Sequence, residues 1–213
     1  MYQTILWDFN GTILNDVAIG IDSINTLLRR RNLPLIEGEE RYRERFRFPI
    51  IDYYTELGFD KTEYDILAIE WIEQYLSRVP LAPVQDGIID VLDALKTAGK
   101  RQIILSASET AQLRKQVSEL GIAPYFSDIL GLDNIHAKSK VEMAIEWKKR
   151  TDAGKMILIG DTDHDAATAK AIGADCVLLA AGHQSLKRLE NCGVRVVQHP
   201  SELISLILGS EDM

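Results

Sequence analysis

The chain has 213 residues, 46% hydrophobic and 26% charged, with a formal net charge of −8. This is the composition of a globular protein, one large domain or a core domain plus a smaller insert, which needs no disulfide or structural metal to hold its core. The acidic balance argues against a general nucleic-acid binder and against docking on anionic lipid, without excluding a small anionic substrate.

The N-terminus lacks the basic region and long apolar core of a signal peptide. No apolar run approaches the ~18 residues of a membrane span. A cytoplasmic location is therefore the expectation. The first apolar run, Thr4–Trp7, predicts a strand buried on both faces. From Asp16 to Pro83 the signals are helical. Ala18–Arg30 is amphipathic, and Arg41–Leu57 is charged with interleaved aromatics. Lys61–Leu76 is amphipathic with Thr62 as a cap candidate, and Pro80 and Pro83 end it.

Strands and helices then alternate. Helices are predicted at Ile88–Thr97, Thr110–Leu120, Ser139–Lys149, Ala166–Ile172 and Ser201–Leu208, with Gly99, Gly121 and Gly173 as the stops of the first, second and fourth. Strands are predicted at Gln102–Leu105, Met156–Ile159, Cys176–Leu179 and Val194–Val197, with Asp128–Leu132 a weaker one. The last five residues read as a frayed tail. This alternation means a parallel sheet in an α/β layered fold. The helical stretch reads as a cap inserted where ligands bind, at the carboxyl ends of the strands. The expected division is residues 1–14 and 85–213 as the core and 15–84 as the cap. Cys176 reads as a buried strand residue and Cys192 as a turn residue. With no CxxC spacing, both are expected to be reduced thiols.

Chemistry-bearing residues cluster at the predicted strand ends. The first strand runs into Asp8-Phe9-Asn10-Gly11-Thr12. A carboxylate there needs a metal, a cation or amide donors to compensate its charge, while Gly11 permits a tight turn whose amides can hold an anion. A turn or cap Asp is the plainer alternative. The Met156 strand runs into Gly160-Asp161-Thr162-Asp163-His164-Asp165. Carboxylates this close repel unless a cation sits among them, and oxygen-only ligands suit Mg²⁺. Capping of the next helix is the alternative, though one Asp would serve for that. Ser106-Ala107-Ser108 ends the second strand: Ser106 offers a hydroxyl to a phosphoryl oxygen, and Ser108 reads equally well as a helix cap. Lys138 and Lys140 lie at a helix start, against the dipole, where neutralising an anion would explain them and surface exposure is the alternative.

Taken in order, Asp-x-x-Gly-Thr, Ser, Lys and Gly-Asp-x-x-x-Asp resemble the haloacid dehalogenase-like hydrolase superfamily, in its phosphoglycolate-phosphatase-like branch with a helical cap. The resemblance covers nearly the whole chain. It implies a Rossmann-like three-layer α/β core with a mostly parallel sheet and an all-helical cap. It also implies a Mg²⁺-dependent phosphatase of small phosphorylated metabolites working through an aspartyl-phosphate. By that resemblance Asp8 is the nucleophile. Asp8, the backbone carbonyl of Asn10, Asp161 and Asp165 are the metal ligands. Gly11, Thr12, Ser106 and Ala107 surround the phosphate, and Lys140, or else Lys138, is the family lysine. No nucleic-acid or membrane partner is expected, and the chain is expected to be a monomer or homodimer.

Asn10 departs from the pattern, because phosphatases of this family usually carry an Asp there that protonates the leaving oxygen and later activates water. An amide does neither. Substrates with alkoxide-type leaving groups should suffer most, and acyl or aryl phosphates least. Four readings stay open: an acid supplied from elsewhere, such as His164 or a cap residue; a preference for good leaving groups; a catalytically weakened binding or regulatory protein; or an engineered Asn10. A receiver-type signalling domain is disfavoured by the helical insert and by Gly-Asp-x-x-x-Asp. His183, after the fifth strand, is a candidate substrate contact, and His136 and His199 read as surface. In the cap, Arg41, Arg43, Arg45 and Arg47 fall at helix spacing. They either pair with Glu37, Glu39, Glu40 and Glu44 or present a face to a substrate anion, with Arg47 the first choice to do so.

Overall fold

In the computed structural model, which describes residues 1–132 and 139–209, six parallel strands form one sheet. They are β1 (Thr4–Trp7), β2 (Arg101–Glu109), β3 (Asp128–Leu132), β4 (Met156–Gly160), β5 (Asp175–Leu179) and β6 (Arg195–Val197), in the order β3-β2-β1-β4-β5-β6. The chain winds outward from β1 in both directions, so the crevice where the order reverses lies at the ends of β1, β2 and β4. Register fixes what meets there. Trp7 lies opposite Ile104 and Ile159, which brings Asp8, Ser106 and Asp161 to one edge.

The sheet is buried on both faces, as its unbroken apolar runs require. Ile5 and Trp7 share a core with α5 (Ile88–Thr97), α6 (Thr110–Glu119) and α10 (Glu202–Leu208). Leu6, Leu105 and Leu158 point the other way, into a core closed by α7 (Lys140–Lys149) and α8 (Asp163–Ile172). A short α9 (Leu186–Glu190) links β5 to β6. Trp7 keeps its indole N–H satisfied on Gln102 Oε1 at 3.1 Å, so a polar atom inside the core costs little.

Between β1 and β2, ahead of α5, stand four helices: α1 (Val17–Arg30), α2 (Gly38–Arg45), α3 (Ile50–Glu56) and α4 (Tyr64–Arg78). They bury a core of their own, with Ile24, Leu27, Tyr42, Tyr53, Tyr54 and Leu67 at its centre. Two expectations are corrected here. The stretch 41–57 is not one helix: it breaks between Arg45 and Ile50, where Phe46 turns extended and Pro49 lacks the N–H a continuing helix needs. Arg43 and Arg47 therefore do not share a helix face. Thr62 is not the cap of the long helix. Asp60 accepts the Thr62 N–H at 2.8 Å at the head of a 3₁₀ turn, and α4 follows that turn. Cys176 is only partly buried on β5, and both cysteines are free thiols. No helix among the described residues is long and apolar enough to cross a membrane. The predicted tail is outside the described residues beyond Gly209.

Candidate active site

Three carboxylates converge at the edge where the strands end. Ligand atoms of Asp8, Asp161 and Asp165 lie within 4.8 Å of one another, and all three side chains are buried. Lys140, from the first turn of α7, places Nζ between Asp8 Oδ1 and Asp165 Oδ1, the latter at 2.6 Å. Its side chain is 2% exposed. Ser139 makes this placement possible: it caps α7 reciprocally with Glu142, so Lys140 starts the helix and points inward. Lys138 and His136 lie outside the described residues.

The electrostatics follow from burial. Burial, with Asp165 and Asp161 close by, pushes the Asp8 carboxyl well above the usual carboxylate range in spite of Lys140. Burial also raises Asp161, to about 6, against the pull of His183. For Asp165 the Lys140 ammonium outweighs burial and keeps the carboxyl low. Oxygen donors that resist being charged together are a donor set for a hard divalent cation. Asp165 also accepts from the Thr162 N–H at 3.1 Å and hydroxyl at 2.7 Å, so it caps α8 while facing the cluster. Capping and clustering are thus not exclusive.

Close approach dictates two glycines. A Cβ on Gly11, whose φ is +77°, would collide with Asp161 Oδ2 and the His183 ring. One on Gly182 would collide with the Asp161 carboxylate. The Thr12 hydroxyl lies 3.0 Å from Asp161 Oδ1 and 3.3 Å from Asp8 Oδ2. Beyond Leu105 the β2–β3 register shifts, carrying Ser106, Ala107 and Ser108 over the end of β1. Ser108 is not the cap of α6, whose first amides go to Glu109. Its hydroxyl donates to Asn10 Oδ1 at 2.8 Å.

Sequence reading missed part of what surrounds Asn10. Its Nδ2 donates to Asp16 Oδ2 at 3.0 Å and to the Tyr75 hydroxyl at 2.6 Å. Asp16 sits at the head of α1 without capping it. It also accepts from the Gly11 amide at 2.8 Å, from the Tyr75 hydroxyl at 2.6 Å and from His183 Nε2 at 3.1 Å. His183 Nδ1 meets the Tyr42 hydroxyl at 2.9 Å, and its backbone N–H donates to Asp161 at 2.7 Å. Burial opposes a charge on His183, but Asp16, with Asp161 and Asp8 behind it, holds the imidazolium up to about 9. The one available signal was a histidine just after a buried strand. Asp16, Tyr42 and Tyr75 carried none, because their roles arise only when the helical insert folds onto the sheet.

The remaining candidates are spread more widely. Arg41 pairs with Glu37 at 3.4 Å and Arg43 with Glu39 at 2.9 Å. Arg43 also reaches across to the carbonyls of Gly182 at 2.8 Å and Ala181 at 3.1 Å. Arg47 is paired with Glu56. His164 packs on Phe48 at 4.9 Å between ring centroids, and burial holds its pKa below the usual histidine value. His199 binds Ser201 at the surface.

The family model for haloacid dehalogenase-like hydrolases matches residues 5–179. The chain belongs to that family. Over 211 residues it is 24% identical to the phosphoglycolate phosphatase of Caulobacter vibrioides, covering 92% of this chain and 86% of that protein. It is equally 24% identical to the probable phosphatase IndB of Dickeya dadantii over 207 residues, covering 92% and 89%. Among solved structures, a predicted phosphatase from Clostridium acetobutylicum superposes with a TM-score of 0.80 at 22% identity, over 98% of this chain and 99% of that one. That likeness gives the fold.

Proposed function

We propose that this hydrolase is a Mg²⁺-dependent phosphatase that cleaves small phosphorylated metabolites through a phosphoryl group carried on Asp8. The observation that carries this reading is the buried cluster of Asp8, Asp161 and Asp165 bridged by Lys140. The phosphatase names of the relatives favour it over a binding or regulatory protein. Asp8, the Asn10 carbonyl, Asp161 and Asp165 would hold the cation, which supplies neutralisation of phosphoryl charge. Asp8 is the nucleophile in this reading. Lys140 keeps its carboxylate aimed and offsets part of the burial penalty that favours protonation, and the bound cation would supply the rest of the charge compensation. The Gly11 and Thr12 turn, with Ser106 and Ala107, borders the space a phosphate would fill. Residues 15–84 act as a cap over the core of 1–14 and 85–213, excluding water during transfer. Arg47 meets a substrate anion only by leaving Glu56.

The test is phosphate release from p-nitrophenyl phosphate with Mg²⁺ and with chelator. Turnover should require the metal, and Asp8→Ala should be silent while keeping the native circular dichroism. Activity of Asp8→Ala near that of the unmodified chain would defeat the proposal.

A further inference from the structure

We propose that this site is built for phosphates whose leaving group departs as a stable anion, acyl and aryl phosphates, and is slow on simple alkyl phosphates. The proposal rests on the phosphatase reading and narrows its substrate class. When an Asp8 oxygen bonds to phosphorus, the bond from phosphorus to the leaving oxygen breaks and its electron pair stays on that oxygen. An alkoxide formed this way needs a proton from the protein. A carboxylate or phenolate does not.

The structure shows where such a proton would have to come from. Both hydrogens of the Asn10 amide are committed, one to Asp16 and one to the Tyr75 hydroxyl. Its oxygen accepts from Ser108 at 2.8 Å and from Ser106 at 3.5 Å. The Tyr75 hydroxyl is spent on Asp16, the two His183 nitrogens on Tyr42 and Asp16, and the Lys140 ammonium on Asp8 and Asp165. Among the described residues, each proton-bearing side chain hydrogen-bonded to Asn10 or to Asp16, and Lys140 beside Asp8, is thus already engaged. The second half-reaction meets the same lack. Water must bond to phosphorus and release a proton to solvent as the Asp8–phosphate bond breaks, and no carboxylate stands at position 10 to receive it. The phosphorylated enzyme therefore accumulates.

The experiment compares acetyl phosphate, p-nitrophenyl phosphate, phenyl phosphate and phosphoglycolate with Mg²⁺, and looks for covalent phosphate by intact-protein mass spectrometry after acid quench. The good leaving groups should exceed phosphoglycolate by about 10²–10⁴-fold in kcat/KM, the usual worth of a general acid, with phosphate trapped on Asp8. Asn10→Asp should flatten the dependence. Because its new carboxylate lands against Asp16, Asn10→Asp combined with Asp16→Asn is measured alongside. If either variant fails to fold, the slope of the unmodified chain decides alone. Phosphoglycolate cleaved within about tenfold of p-nitrophenyl phosphate would overturn the proposal while leaving the phosphatase reading intact. No turnover of any substrate, with Asp8 never phosphorylated, would overturn both.

Discussion

Replacing His183 by Gln tests how far the charge cluster between the sheet and the helical insert holds the molecule together. His183 lies on the loop after β5, while Tyr42 comes from α2 and Asp16 from the head of α1. The folded-state pKa is raised from 6.5 to about 9. A raised histidine pKa stabilises fully below the unfolded value and loses that contribution as the pH rises through the folded one. The loss therefore falls between 6.5 and about 9. At ~1.36 kcal/mol per pH unit the difference corresponds to about 3 kcal/mol. The depressed Asp16 carboxyl is the same interaction seen from its partner and adds nothing further. Urea unfolding in chelator, at about pH 6 and about pH 9.5, measures it. His183→Gln should cost about 3 kcal/mol more at the lower pH than at the higher. Equal cost at the two pH values would refute the reasoning, because it would mean that packing and hydrogen bonds, not charge, carry the contact.

Lys140→Met should destabilise the protein in chelator by about 3–5 kcal/mol, since it leaves Asp8 and Asp165 buried without their cation. Added Mg²⁺ should restore part of that in a denaturant melt, and an unchanged midpoint would count against the ion-pair assignment. For the unmodified chain, Mg²⁺ at a hundredfold over its dissociation constant should add about 2.7 kcal/mol. Thermal melts across a Mg²⁺ titration check this, and no shift would remove the cation from the site. Gly182→Ala should cost about 1–3 kcal/mol by overpacking against Asp161 and should weaken Mg²⁺ binding by calorimetry. Unaltered binding would show that the loop yields without moving the carboxylate.

Much of the site is legible in the chain because the fold places strand ends together. Asp8, Ser106, Asp161 and Lys140 each follow a short apolar run or begin a capped helix, and local signals mark both. The insert was harder to read. Its helical character shows in Ala18–Arg30, but Pro49 divides a stretch whose charge pattern looks continuous, and Arg43 rather than Arg47 reaches the core loop. Ser108 looked like a cap because its local sequence suits one. Its actual partner, Asn10, is 98 residues away.

The sequence by itself determined the alternation of buried strands and amphipathic helices, and with it a parallel sheet whose carboxyl edge gathers the acids. Apolar runs and helix stops are local, and burial acts on them wherever the chain goes. It also determined that position 10 is an amide and so cannot release or take up a proton as a general acid or base. Only the tertiary structure decided what that amide does. Asp16, Tyr75, His183 and Tyr42 come from separate elements, and nothing in their spacing marks them as neighbours. They meet because the insert's own core sets α1, α2 and α4 over the end of β1, where burying polar groups obliges each to find a partner.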